Sequence, residues 1–148
     1  KLGLIAVVFG LLAVSGPFFL PDEPAGRQSQ TKRLIPTISF SETKLAQLRA
    51  EGKPVFLYFT ADWCITCKVN EASAIQTEAT AKAFAEAGVV LMEGDFTRRD
   101  PAIAGFLTRH GRSGVPLYLW YAPGKDRAEL PQLLTERVLD AFAKGGVF

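Results

Sequence analysis

Apolar and polar positions change character three times along this chain. Residues Leu2 to Leu20 carry no charge and consist mostly of Leu, Val, Ala, Ile and Phe. As a helix rising about 1.5 Å per residue, such a stretch reaches roughly 28 Å, close to the thickness of a bilayer's hydrocarbon core. Three readings compete for it: a transmembrane helix, a cleaved signal peptide, or a buried core helix. Ala13-Val14-Ser15 supplies only a fair small-x-small cleavage site. A core helix of this length would carry a polar stripe, and none is present. The membrane span is the expectation taken forward, with the other two left open. Because Lys1 rather than Met heads the chain, it is expected to be part of a longer protein.

Pro17 near the end of this stretch and Pro21, Pro24 and Pro36 beyond it, with Asp22, Glu23, Gly26, Gln28, Ser29 and Gln30 between them, make residues 21–36 read as an extended linker. From residue 37 the pattern is that of a folded domain reaching to residue 148. Pro36 to Phe40 predicts a short edge strand. Ser41 caps a helix to about Ala50 with Leu45 and Leu48 on one face, and Gly52 ends it. Pro54-Val55-Phe56-Leu57-Tyr58-Phe59 is a near-continuous apolar run, which suits a strand buried on both faces. A helix is predicted from about Cys64 past Glu71, and another from Thr77 to Glu86, closed by Gly88. Val89 to Met92 reads as the next buried strand. Asp100 caps a helix with Pro101 at its first position, running to about His110 before Gly111. Pro116 to Tyr121 is a strand, Pro123 to Asp126 a turn, and Arg127 to Leu130 a weaker returning strand. Thr135 to Lys144 forms the last helix, with Val138, Leu139 and Phe142 inward. Strands separated by helices predict a parallel sheet covered on both faces.

Composition narrows the function. The chain has 148 residues, of which 48% are hydrophobic and 22% charged, so a packed core is within reach and wholesale disorder is excluded. A formal net charge of +2 and the absence of a basic run argue against nucleic acid as a partner. From residue 37 onward, thirteen basic side chains face thirteen acidic ones, which points to recognition by shape and chemistry. The two cysteines, Cys64 and Cys67, cannot staple a small fold at several points. With His110 the only histidine, a self-sufficient four-ligand zinc site is not expected either.

The candidate chemistry lies where the second strand meets its helix: Ala61-Asp62-Trp63-Cys64-Ile65-Thr66-Cys67-Lys68. A C-x-x-C at a helix start places the first thiol among unpaired backbone N–H groups at the positive end of the dipole. The second thiol follows nearly one turn later, within reach of a disulfide. Thiolate is the form that attacks disulfides, so Cys64 is expected to be the exposed nucleophile and Cys67 the shielded resolving thiol. Two alternatives are a packing pair of buried cysteines and a metal clasp, which needs two further ligands.

ADWCITCK after a hydrophobic strand resembles the thioredoxin superfamily. More narrowly, that octapeptide, Glu71 four residues after Cys67, and the later Gly114-Val115-Pro116 resemble the C-terminal thioredoxin-like domain of DsbD-type transmembrane thiol:disulfide interchange proteins. The resemblance covers roughly Thr37 to the C-terminus and implies an α/β thioredoxin-like fold, a central mixed sheet with helices on both faces. It implies catalysis by Cys64 and Cys67, with no cofactor beyond their redox-active disulfide. Pro116 matches the superfamily's cis-proline, which implies that the backbone of Val115 pairs with an extended substrate strand. Trp63 is expected to shield the disulfide and line the substrate surface. Tyr58 departs from the family, standing where many relatives hold a buried Asp that assists proton transfer. Glu71 is left as the candidate proton acceptor near Cys67, against the plainer reading of a solvated helix-face carboxylate. Asp62 is either an inert loop carboxylate or one that raises the neighbouring thiol's pKa. Lys68 reads as a solvated helix residue, His110 as a helix-end group, and Tyr118, Trp120 and Tyr121 as core.

The expected activity is that of a membrane-linked protein-disulfide reductase. Electrons would arrive from a transmembrane donor domain and leave to a periplasmic redox acceptor, with residues 2–20 as the membrane contact. Two other readings stay open: a membrane-anchored thioredoxin for cytochrome c maturation, and a redox-silent binding or chaperone module. Lys1 on one side of the apolar stretch and Arg27, Lys32 and Arg33 on the other would alone put the domain in the cytoplasm. The resemblance instead implies the bacterial inner membrane with the domain facing the periplasm.

Overall fold

The computed structural model describes residues 33–146. The apolar stretch 2–20 and most of the linker lie outside them, and among the described residues no helix is long and apolar enough to cross a membrane. The elements run β1 (Thr37–Ser39), α1 (Glu42–Ala50), β2 (Val55–Thr60), α2 (Ile65–Asn70), a π-helical turn (Glu71–Ile75), α3 (Glu78–Ala87), β3 (Val90–Asp95), α4 (Pro101–Arg109), β4 (Leu117–Tyr121), β5 (Ala128–Glu129) and α5 (Glu136–Ala143).

The caps expected at Ser41 and Asp100 are formed, and the helices expected to start at Thr77 and Thr135 are capped by those residues. Ser41, Thr77 and Thr135 each accept a backbone N–H three residues on, and Asp100 accepts those of Ala102 and Ile103 ahead of Pro101. Gly88 closes α3 at φ +65°, a left-handed conformation that suits glycine.

The five strands make one sheet in the order β1-β3-β2-β4-β5. β1 and β2 pair in parallel with β3, whereas β4 runs antiparallel to β2 and β5 antiparallel to β4. The parallel pairing expected of strands separated by helices holds for β1, β2 and β3, and the sheet as a whole is mixed, as the resemblance implied. The nine residues of α4 and the loop behind it return the chain to the end where β2 finishes, so Leu117 starts beside Phe59.

Strand β2 is buried along its whole length, and its side chains divide alternately between two cores. Val55, Leu57 and Phe59 pack with Met92, Leu117 and Leu119 under Leu45 and Leu48 of α1 and Ile103, Phe106 and Leu107 of α4. Phe56 and Tyr58 pack with Leu91, Tyr118 and Trp120 against Ile75, Phe84 of α3, and Leu139 and Phe142 of α5. Both faces are covered, which explains why β2 has no polar alternation. The end of the linker joins this domain: Ile35 is buried in the second core, and the amides of Leu34 and Ile35 donate to Gln76 Oε1 at 3.0 and 3.1 Å.

One close approach tests this packing. Gly94 of β3 sits opposite Phe59 of β2, and a Cβ there would lie 2.2 Å from the Phe59 ring. Phe59 is itself wedged between Phe40 and Phe106, with ring centroids 5.0 and 5.1 Å away. Gly94→Ala is therefore expected to destabilise the domain by about 1–3 kcal/mol through overpacking. A urea titration should show a lower midpoint at unchanged slope. An unshifted midpoint contradicts the packing.

Candidate functional site

Where β2 ends, the chain turns through Ala61 to Trp63 and enters α2, and the cysteine pair stands at that turn. Cys64 and Cys67 are joined in a disulfide, S–S 2.10 Å, with Cα atoms 5.2 Å apart. The turn is held by Cys64 N–H donating to Ala61 O at 3.0 Å and by Lys68 N–H donating to Cys64 O at 3.1 Å. Cys64 is the N-cap of α2 rather than its first residue, and its Sγ accepts from the Cys67 N–H at 3.2 Å. That amide is one of the donors a helix start leaves without a backbone partner, and it points at the sulfur.

The expected contrast in exposure is smaller than anticipated. Cys67 keeps 1% of its surface, but Cys64 keeps only 8%. Both belong to the core cluster that includes Phe59, Phe96 and Leu117, and in the disulfide each sulfur covers the other. The apolar surface around them is open instead: Trp63 is 50% and Ile65 81% exposed.

Trp63 is fixed by the loop that follows β3. Its Nε1 donates to Thr97 O at 3.3 Å, while the Asp62 N–H donates to Thr97 Oγ1 at 2.9 Å. The Trp63 ring meets Phe96 edge-on at 6.4 Å, and the Arg99 guanidinium lies 5.7 Å from its centroid. The Val115–Pro116 bond is cis. Pro116 precedes Leu117, which pairs with Phe59, so the proline stands at the level of Thr60 near the end of β2. Val115 packs on the cluster that contains both cysteines.

Glu71 is not a freely solvated carboxylate. It opens the π-helical turn, its side chain is 21% exposed, and it accepts from the Thr60 hydroxyl through Oε1 and pairs with Lys68 Nζ through Oε2 at 3.2 Å. Thr60 is buried at the end of β2, so this contact ties the helix behind Cys67 to the sheet below it. Lys68, exposed as expected, also reaches Asp62 at 3.4 Å and so bridges two carboxylates. Partial burial works to lower the Lys68 ammonium, but Glu71 and Asp62 outweigh it and raise its pKa.

Tyr58 faces a partner from a neighbouring strand. Its hydroxyl donates to Glu93 Oε2 at 2.9 Å, and Glu93 in turn holds Arg33 from the end of the linker. Burial, then the Glu93 charge, pushes the phenol far above its usual range. It keeps its proton at neutral pH and cannot act as a base there. Hydrogen bonding to Glu93 is also what raises Arg33.

Two residues missed by sequence reasoning complete the site. Asn70, at the end of α2 and 2% exposed, donates through Nδ2 to Tyr118 Oη at 2.8 Å and Gln132 O at 2.7 Å, and accepts the Leu134 N–H at 3.1 Å. It fastens the cysteine helix to β4 and to the loop before α5. Burial pushes the Tyr118 phenol up to about 12. Thr60 is the second, as the anchor of Glu71. Thr60 offered one signal, a polar residue closing an otherwise apolar run, whereas Asn70, between Lys68 and Glu71, offered none. His110 stacks on Phe106 at 4.2 Å, with Nδ1 2.8 Å from Phe106 O. Among the described residues, no group of three or more His, Cys, Asp or Glu side chains could hold a metal ion.

Comparison with known proteins gives this geometry a setting. A family model described as thioredoxin-like matches residues 36–123. The chain is 42% identical over 85 residues to the thiol:disulfide interchange protein DsbD 1 of Pseudomonas aeruginosa, an alignment covering 57% of this chain and 14% of that protein. It is 30% identical over 130 residues to DsbD of Vibrio cholerae, covering 84% of this chain and 21% of the other. The chain thus spans only a small part of the length of these curated relatives. Among solved structures, the oxidised DsbD C-terminal domain of Neisseria meningitidis superposes with a TM-score of 0.60 at 20% identity, covering 76% of this chain and all of that one. A thioredoxin from Thermus thermophilus superposes with a TM-score of 0.57 at 16% identity, covering 74% and 85% of the two chains. These superpositions establish the fold.

Proposed function

The chain belongs to the thioredoxin-like family, and from that premise we propose that it is a thiol:disulfide oxidoreductase acting through Cys64 and Cys67. The observation that carries this reading is the Cys64 sulfur at the cap of α2, facing the Cys67 N–H at 3.2 Å beside the exposed Trp63. A thiolate there receives a charge-directed hydrogen bond that a neutral thiol uses poorly, which favours ionisation.

The exchange runs in two displacements. In the reduced chain the Cys64 thiolate attacks one sulfur of a partner disulfide, forming a mixed disulfide and expelling the partner's other sulfur as thiolate. Cys67 then gives up its proton and attacks the Cys64 sulfur. The mixed disulfide breaks, the second partner sulfur leaves as thiolate, and Cys64–Cys67 closes; two electrons have passed to the partner. Trp63 and Val115–Pro116 are assigned to the surface that receives the partner, with the Val115 backbone offering strand-like hydrogen bonds.

Glu71 is assigned the Cys67 proton. It starts the turn directly behind Cys67, is held by Thr60, and stays partly accessible to water. Glu71→Gln keeps the size and one acceptor oxygen while removing the base, so the mixed disulfide should persist about ten- to a hundredfold longer at neutral pH. Folding should be retained, since glutamine can still accept from the Thr60 hydroxyl and the lost pair with the half-exposed Lys68 ammonium is worth only about 1 kcal/mol. Quenched-flow trapping of the intermediate measures this directly, and an unchanged lifetime removes Glu71 from the mechanism.

The direction proposed is reduction: electrons from a transmembrane part of a longer protein to a periplasmic redox partner, with the domain outside the bacterial inner membrane and residues 2–20 in the bilayer. The likeness to DsbD proteins supports this assignment. Equilibration with glutathione buffers tests it. A reversible disulfide with a potential below about −200 mV supports reduction, and a value near that of strong oxidants, about −120 mV, reverses the direction. Absence of a reversible disulfide removes the enzymatic reading.

A further inference from the structure

Arg99 is the one residue other than glycine with positive φ among the described residues, at +55°. An arginine gains nothing intrinsic from that conformation, and such outliers concentrate where a side chain must be aimed. Here the aim is visible. The Arg99 N–H donates to Phe96 O at 3.0 Å, closing a tight turn after β3, and the guanidinium comes to rest 5.7 Å from the centroid of the Trp63 ring. Trp63 is the residue immediately before Cys64. Arg98 beside it is also exposed, and neither arginine has an acidic partner among the described residues.

The nearby carboxylates are engaged elsewhere. Asp95 Oδ1 accepts the Thr97 N–H at 2.8 Å, and Asp100 Oδ1 caps α4 through the Ala102 and Ile103 amides at 2.8 and 3.1 Å. Asp62 pairs with Lys68 on the α2 side. The surface beside Cys64 therefore combines exposed apolar side chains, Trp63 and Ile65, with the Arg99 guanidinium and its exposed neighbour Arg98, neither held in an ion pair among the described residues, although the domain as a whole is balanced in charge. Guanidinium binds carboxylate in a two-pronged geometry and steers an approaching anion while both are still solvated.

We propose that Arg98 and Arg99 select the protein partner, favouring disulfides flanked by acidic residues. This rests on the thiol–disulfide exchange reading above and adds the chemical class of the segment that docks. Arg98 and Arg99 are specificity residues; the exchange chemistry stays with the cysteines.

Three synthetic peptides test it, each closed by one disulfide and differing only in the residues beside the cysteines: Asp pairs, Ser pairs or Lys pairs. The full 148-residue chain, reduced and kept in a non-ionic detergent, is mixed with each peptide. Rates are normalised to reduction of the same peptide by dithiothreitol, so that the reactivity of the peptide disulfide cancels. At about 0.01 M ionic strength, where charges act over roughly 30 Å before they are screened, the Asp peptide should react about tenfold faster than the Lys peptide. At about 1 M salt the two should agree within about twofold. Arg98→Asn with Arg99→Asn, the latter a residue that tolerates positive φ, should erase the low-salt preference, and Arg98→Asn alone should reduce it to about threefold. Lys53→Gln with Lys125→Gln removes the same charge at the opposite end of the sheet, where Val55 pairs with Tyr121, and should leave the preference intact. Equal rates for the wild-type chain, or a preference that survives the double arginine variant, overturns the inference while leaving exchange activity standing. Failure to reduce any of the three peptides overturns the exchange reading and this inference with it.

Discussion

Cys64→Ser is expected to eliminate disulfide exchange, whereas Cys67→Ser is expected to accumulate as a covalent complex with its partner. A serine hydroxyl at position 64 stays protonated at neutral pH and cannot displace a sulfur, so the first step has no nucleophile. Position 67 is different, because the first displacement does not use it. With Cys67 replaced, Cys64 still captures a partner sulfur, but the second displacement has no attacking group and the mixed disulfide persists. Its burial at 1% exposure also keeps Cys67 from competing for the first attack. The reduced wild-type chain is the reference, since loss of the crosslink is then common to all three proteins. Non-reducing electrophoresis with a disulfide-bearing partner reads both results: no adduct for Cys64→Ser and a stable adduct for Cys67→Ser. The reverse pattern exchanges the two roles.

Replacing Asn70 by Ala should be the most destabilising polar substitution in the domain, at about 3 kcal/mol. The side chain makes three hydrogen bonds from a buried position, and alanine leaves the Tyr118 hydroxyl, the Gln132 carbonyl and the Leu134 N–H short of partners. A buried group stranded in this way loses roughly 1–3 kcal/mol, and partial relaxation of the loop before α5 offsets some of the sum. Thermal unfolding of the reduced and oxidised forms should show the melting temperature lowered by about 10–15 °C. A shift below about 3 °C would show that the three contacts are replaced by water, and the helix would not then depend on Asn70 for its anchorage.

How much was legible in the sequence depended on range. Strand β2 was visible because an unbroken apolar run between Pro54 and the C-x-x-C suits a strand covered on both sides. The caps at Ser41 and Asp100, and the helix starts at Thr77 and Thr135, were visible because capping is a contact over three residues or fewer. Cys64 and Cys67 were brought together by the same local geometry. The direction of β4 was not legible, since helical spacing fixes that a strand returns to the sheet without fixing from which end. Nor was the π-helical turn at Glu71–Ile75, whose residues carry ordinary helical propensity. Partners far apart in the chain were the least legible. Glu93 meets Tyr58 across 35 positions and Arg33 across 60, and Asn70 meets Tyr118 across 48. No local pattern encodes such pairs. They become visible only once β2, β3 and β4 lie side by side.

Tyr58, buried in β2, brings no charge into the interior of the sheet. The phenol is neutral and spends its proton on Glu93, whose charge is in turn matched by Arg33. Tyr58 therefore offers no free base, and the proposed proton transfer rests on Glu71, which stays partly accessible to water.

The central claim is that one sulfur of the reduced pair is ionised and reachable while the other is neither. Alkylation of the reduced chain with iodoacetamide across pH, with the modified residue identified by mass spectrometry, tests it most directly. Cys64 should be modified first, with a titration midpoint below the ordinary thiol value of about 8.5, and Cys67 should remain protected until the chain is denatured. Equal reactivity of the two sulfurs, or a Cys64 midpoint at or above that ordinary value, would contradict the account.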